Sequence, residues 1–149
     1  MCGVVGIIST QKPVAGELYD SLIHLQHRGQ DAGGIMTYNK RFHIKKGTGL
    51  VRDIFDQQNM SRLLGKIGIG HTRYPTVGGF SIEEAQPVLT HVPYGISMAH
   101  NGNLVNYSEL VEEVEKKDRR HINSSVDIDG ACAAEDCACL LYTSDAADD

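Results

Sequence analysis

Cys2 carries the most pointed chemistry in the chain. The side chain after Met1 is small, which suits removal of the initiator, and a cysteine left amino-terminal holds a thiol and an α-amine on one residue. The two groups ordinarily titrate within about one pH unit of each other, so near neutral pH the amine can take the thiol proton at little cost, directly or through one water. This is the logic of amino-terminal nucleophiles, which need no separate histidine. Position alone nevertheless favours a small buried strand residue, because free cysteine is among the most buried residue types. The other cysteines, Cys132, Cys137 and Cys139, crowd into a short stretch and invite a metal hypothesis. A closed structural site normally takes four ligands, often with a Cys-x-x-Cys pair, and neither that pair nor a fourth partner stands here. The expectation is therefore no metal site. A non-enzymatic, cysteine-rich metal-binding fragment is kept as an alternative from a different class.

The elements that must position Cys2 begin with Cys2 itself. Cys2-Gly3-Val4-Val5-Gly6-Ile7-Ile8 is short, β-branched and followed by polar turn residues, which predicts a buried strand and a fixed amino terminus. Leu18, Leu22 and Leu25 recur at helical spacing between Ala15 and His27, and Gly29 supplies a stop. A hairpin is predicted from Gly34 to Tyr38 and from Phe42 to Lys46, with Asn39-Lys40 at the turn. Apolar strands follow at Lys66 to Thr72 and Gly95 to His100, with a short, weakly capped helix between Ile54 and Leu64. A better helix opens at Asn106, where Glu109 has capping-box spacing and Val105 and Leu110 can form a hydrophobic staple.

Bulk properties narrow the classes. Hydrophobic residues make up 41% and charged residues 22% of 149, which suits one globular domain with a real core. A formal charge of −5 argues against a surface that neutralises phosphate backbones, so no nucleic-acid partner is expected. The one basic cluster, Lys116, Lys117, Arg119 and Arg120, reads as a solvated helix end. No apolar run approaches the ~18 residues of a membrane span and no signal core opens the chain. With cysteines unsuited to a disulfide framework, a cytoplasmic protein without a membrane partner is expected.

Five strings then stand in order: Met1-Cys2-Gly3-Val4-Val5-Gly6-Ile7, Leu25-Gln26-His27-Arg28-Gly29-Gln30-Asp31-Ala32, His71-Thr72-Arg73-Tyr74-Pro75-Thr76, Glu84-Ala85-Gln86-Pro87 and Ala99-His100-Asn101-Gly102-Asn103-Leu104. Together they resemble the glutaminase domain of class II glutamine amidotransferases, over residues 1 to about 127. The resemblance implies an α+β fold, a four-layer αββα sandwich of the amino-terminal nucleophile hydrolase type, incomplete in this chain. It also implies Cys2 as nucleophile, with the Asn101 side-chain amide and the Gly102 N–H as donors to the tetrahedral oxyanion. Asn101-Gly102 taken alone reads as a tight turn, which an oxyanion hole does not exclude. Arg73, whose guanidinium can grip a carboxylate bidentately, is implied for the α-carboxylate of free glutamine, with Thr76 beside it and Asp127 for the α-ammonium. Arg28 and Tyr74 are implied as supporting residues around the nucleophile. His71 and His100 lie on predicted strands, where core or supporting histidines are expected.

Gln30-Asp31, Tyr74-Pro75 and Asn103-Leu104 are closest to the phosphoribosylpyrophosphate amidotransferase branch. That branch implies glutamine and phosphoribosylpyrophosphate as substrates, phosphoribosylamine and the first step of purine synthesis as the outcome, and a homo-oligomer at full length. No cofactor is expected within this chain. Magnesium is implied for a phosphoribosyltransferase domain that it lacks. Another class II amidotransferase with a different acceptor is the nearest alternative. From Ile128 to Asp149 the chain turns rich in Ala, Cys and Asp and departs from the family pattern, so domain 1–127 is expected to end in a non-native tail, 128–149. The piece alone is expected to be weakly active or inactive.

Overall fold

The computed structural model describes residues 2–74, 82–90, 95–102 and 112. The chain divides into two compact units, Met1–Pro87 with Ala99–Asn101, and Val88–Met98 with Gly102–Asp149.

The first unit is built on a four-stranded antiparallel sheet in the order β1-β4-β2-β3. Its strands are β1 (Gly3–Ile8), β2 (Ala32–Tyr38), β3 (Phe42–Thr48) and β4 (Ile67–Arg73). Period-two patterning shows in β1, where Val4 and Ile8 are exposed while Val5 and Ile7 pack against the core. The hairpin lies where the pattern placed it, with both strands two residues longer at their outer ends and Lys40 at φ 59° in the turn. Helix α1 (Ala15–Leu25) covers one face of the sheet. Leu18 and Leu22 are fully buried together with Ile35 and Val51, next to the nearly buried Ile54, and each fully buried aliphatic side chain contributes roughly 1.5–3 kcal/mol by leaving water. A single 3-10 turn, Gln26–Arg28, follows α1, and Gly29 ends it as expected.

The weak helix expected between Ile54 and Leu64 contains only α3 (Gln57–Arg62), because a separate turn, α2 (Val51–Ile54), ends where it was to begin. The break lies at Phe55, whose buried ring meets Tyr19 edge-to-face at 6.3 Å while its backbone is extended. The poor capping inferred for this segment is also corrected, because Asp56 accepts the Asn59 N–H at 2.6 Å and caps α3.

In the second unit β5 (Val88–Thr90) pairs antiparallel with β6 (Ile96–Met98), and the Ser97 hydroxyl donates to Val88 O at 3.0 Å. β5 was not anticipated, since three residues are too few to show a period. β6 is shorter than the predicted Gly95 to His100, because His100 directs its backbone groups to side chains instead of a neighbouring strand. Among the described residues no helix is long and apolar enough to cross a membrane. The helix expected at Asn106 and the stretch 128–149 lie outside the described residues.

Candidate active site

Cys2 stands one residue before β1, where the sheet brings it to the end of β4. The register pairs Gly3 with Thr72, so the cysteine comes to lie beside the residues that leave that strand. Its Sγ receives the Tyr74 N–H at 3.4 Å, and Tyr74 O lies 3.8 Å away. The Arg28 Nε donates to Cys2 O at 3.0 Å. Arg28 is brought there by the turn that ends α1, and Gly29 lets the turn lie flat on β4. A Cβ at Gly29 would stand 2.5 Å from the Arg73 carbonyl carbon and 2.7 Å from Thr72 O, closer than side chains tolerate. Gln26 ties the same turn down, donating to Gly29 O at 2.6 Å and accepting from the Val51 N–H at 2.7 Å.

Asn101 reaches the same place by another route. Its Oδ1 accepts from the Cys2 nitrogen at 3.2 Å. The residues before it lie in no strand or helix, and two buried side chains hold them. His71, on β4 and without solvent exposure, donates from Nε2 to His100 O at 3.1 Å. Gln86, also buried, accepts the His100 N–H on Oε1 at 2.7 Å. Burial pushes the His71 pKa down to about 4, outweighing the bond to His100 O, and leaves the imidazole neutral with Nδ1 lacking a partner among the described residues.

Arg73 is the last residue of β4 and is buried, not set on an exposed loop. Its Nη2 lies 3.5 Å from Glu84 Oε2, an ion pair that the sequence reading did not assign. Tyr74 contributes its backbone to the Cys2 thiol, while the residue itself is exposed. Gly102 is exposed. Thr76 and Asp127 lie outside the described residues, as do Cys132, Cys137 and Cys139. Glu84 and Gln86 were legible only as members of the string Glu84-Ala85-Gln86-Pro87, without roles. Among the described residues no group of three or more His, Cys, Asp or Glu side chains is placed to hold a metal ion.

A thiol, its own nitrogen and a primary amide thus meet at the end of one sheet, an arrangement suited to attack on a carbonyl carbon. Known proteins are similar to this chain over most of its length. An amidophosphoribosyltransferase of Pasteurella multocida is 54% identical over 129 residues, covering 85% of this chain and 25% of that protein. That of Escherichia coli K12 is 52% identical over 129 residues, and that of Saccharomyces cerevisiae 50% over 131. The chain is related to the amidophosphoribosyltransferases. It spans about a quarter of the length of the curated amidophosphoribosyltransferases it matches. No protein-family model matches it. Among solved structures, the allosteric regulatory enzyme of purine biosynthesis superposes with a TM-score of 0.78 at 31% identity, over 96% of this chain and 30% of that one. The glutamine phosphoribosylpyrophosphate amidotransferase of B. subtilis, complexed with ADP and GMP, gives 0.76 at 29%. The α+β fold is the one those amidotransferases share.

Proposed function

We propose that this chain is the glutaminase part of an amidophosphoribosyltransferase. Cys2 Sγ attacks the side-chain amide carbon of glutamine, and the α-amine of Cys2 takes the thiol proton and delivers it to the departing nitrogen. The C–N bond breaks, ammonia leaves and a γ-glutamyl thioester remains, which water hydrolyses to glutamate and the free thiol. Asn101 Nδ2 and the Gly102 N–H donate to the oxyanion of each tetrahedral intermediate. Arg73, Thr76 and Asp127 hold the α-carboxylate and α-ammonium, while Arg28 holds the Cys2 carbonyl and the Tyr74 backbone the Cys2 thiol. Ammonia then passes to phosphoribosylpyrophosphate in the remainder of a longer, homo-oligomeric cytoplasmic enzyme, where magnesium serves the pyrophosphate, and gives phosphoribosylamine for purine synthesis.

The observation that carries this reading is the 3.2 Å contact of Asn101 Oδ1 with the Cys2 nitrogen, which is a peptide N–H while Met1 is attached and an α-amine once Met1 is removed. The acceptor arm of the amide is thereby engaged at the nucleophile's own nitrogen, which leaves the donor arm for an oxyanion. The test is glutamate release by the full-length protein with Cys2→Ser. A kcat loss of about a thousandfold or more is expected with the fold intact, and retention of more than about a tenth of the activity would contradict the reading.

A further inference from the structure

We infer that His71 and Gln86 are positioning residues for Asn101, clamping the peptide groups of His100 from both sides so that the amide donor stands still beside the nucleophile. The inference rests on the reading of Asn101 as an oxyanion donor. Ala99, His100 and Asn101 belong to no strand or helix, so no sheet ladder fixes them. In its place the His71 Nε2–H holds His100 O at 3.1 Å and Gln86 Oε1 holds the His100 N–H at 2.7 Å. Both side chains are buried and both are seated on the four-stranded sheet. His71 belongs to β4, and the Gln86 carbonyl lies so close over Gly34 of β2 that a Cβ there would collide with it. A carbonyl can only accept, which puts the His71 proton on Nε2. One residue further on, Asn101 Oδ1 meets the Cys2 nitrogen. The His100 peptides therefore cannot slide without moving the amide, and a displacement of about 1 Å in a catalytic group is enough to cost about a hundredfold in rate.

The test uses the full-length protein and four single variants, His71→Leu, His71→Gln, Gln86→Met and Asn101→Ala, with His71→Leu also placed on Asn101→Ala. Glutamate release gives kcat and KM, and alkylation of Cys2 by iodoacetamide reports thiol reactivity in a reaction that forms no oxyanion. His71→Leu and Gln86→Met are expected to lower kcat about 10- to 100-fold with KM and alkylation rate within about threefold of the parent. His71→Gln, whose amide N–H can stand in for Nε2–H, should recover most of the loss. On Asn101→Ala, His71→Leu should cost nothing more, because it acts through that amide. The inference is overturned if His71→Leu and Gln86→Met leave kcat unchanged, or if the His71 loss is just as large on Asn101→Ala. A silent Asn101→Ala would instead overturn the oxyanion reading, and the clamp with it. Should His71→Leu fail to fold, Gln86→Met on Asn101→Ala makes the same comparison.

Discussion

The two sides of the candidate site are held by different means. Cys2 is placed by a backbone ladder, Gly3 to Ile8 against Ile67 to Thr72, with a helix packed beneath it. Asn101 is placed by two side-chain hydrogen bonds to the residue before it. A ladder shares its load over many equivalent bonds and tolerates most side-chain changes, whereas a clamp depends on the identity of two buried polar groups. The nucleophile should therefore be robust to mutation around it, and the oxyanion donor brittle.

The largest effect expected of an attempt to break this contrast is in the core below the ladder. Leu22→Ala removes a fully buried side chain between α1 and the sheet and should destabilise the first unit by about 2–5 kcal/mol in denaturant titration, loosening both sides together. Acid sharpens the contrast by acting on the clamp. The fold keeps His71 neutral, chiefly through burial, with the bond to His100 O opposing and the charges of His100 and Arg73 assisting, so its pKa is about 4 folded and 6.5 unfolded. The unfolded chain binds the extra proton, and the stability this histidine contributes is fully present above pH 6.5 and lost as pH falls from there towards about 4. The loss should be on the order of 3 kcal/mol at most, and a denaturation series from pH 7 to pH 4.5 should show a shallower slope for His71→Gln than for the parent. A smaller effect is expected from Gly34→Ala, which drives a Cβ into the Gln86 carbonyl. It should cost about 1–3 kcal/mol and lower glutamate release while iodoacetamide still modifies Cys2 at the parental rate.

The same contrast explains what could be read from the sequence. The ladder was legible because the β-branched run Val4 to Ile8, the leucine spacing of α1 and the Asn39-Lys40 turn are local signals, although β1, expected to be buried, exposes Val4, Gly6 and Ile8 on one face. So were the strings that bring Arg28, Tyr74 and Cys2 together, since each sits at the end of an element that the pattern locates. The clamp was not legible. Which backbone group a buried histidine or glutamine engages depends on tertiary placement, and His100 looked like a strand residue because Ile96 to Met98 continues into it without a turn signal. Arg73 was read as lying just past a strand, whereas it ends β4, buried against Glu84, a partner no spacing rule suggests. The break at Phe55 and the cap at Asp56 were missed because sparse apolar residues blur where one short helix stops and the next begins.

The most direct measurement is intact-protein and peptide mass spectrometry after exposure to a glutamine-shaped diazoketone. A mature chain beginning at Cys2, with Met1 gone and one label on the Cys2 sulfur that excess glutamine prevents, is the predicted result. A chain that keeps Met1, or label confined to Cys132, Cys137 and Cys139, would contradict the proposal that one terminal residue supplies both nucleophile and base.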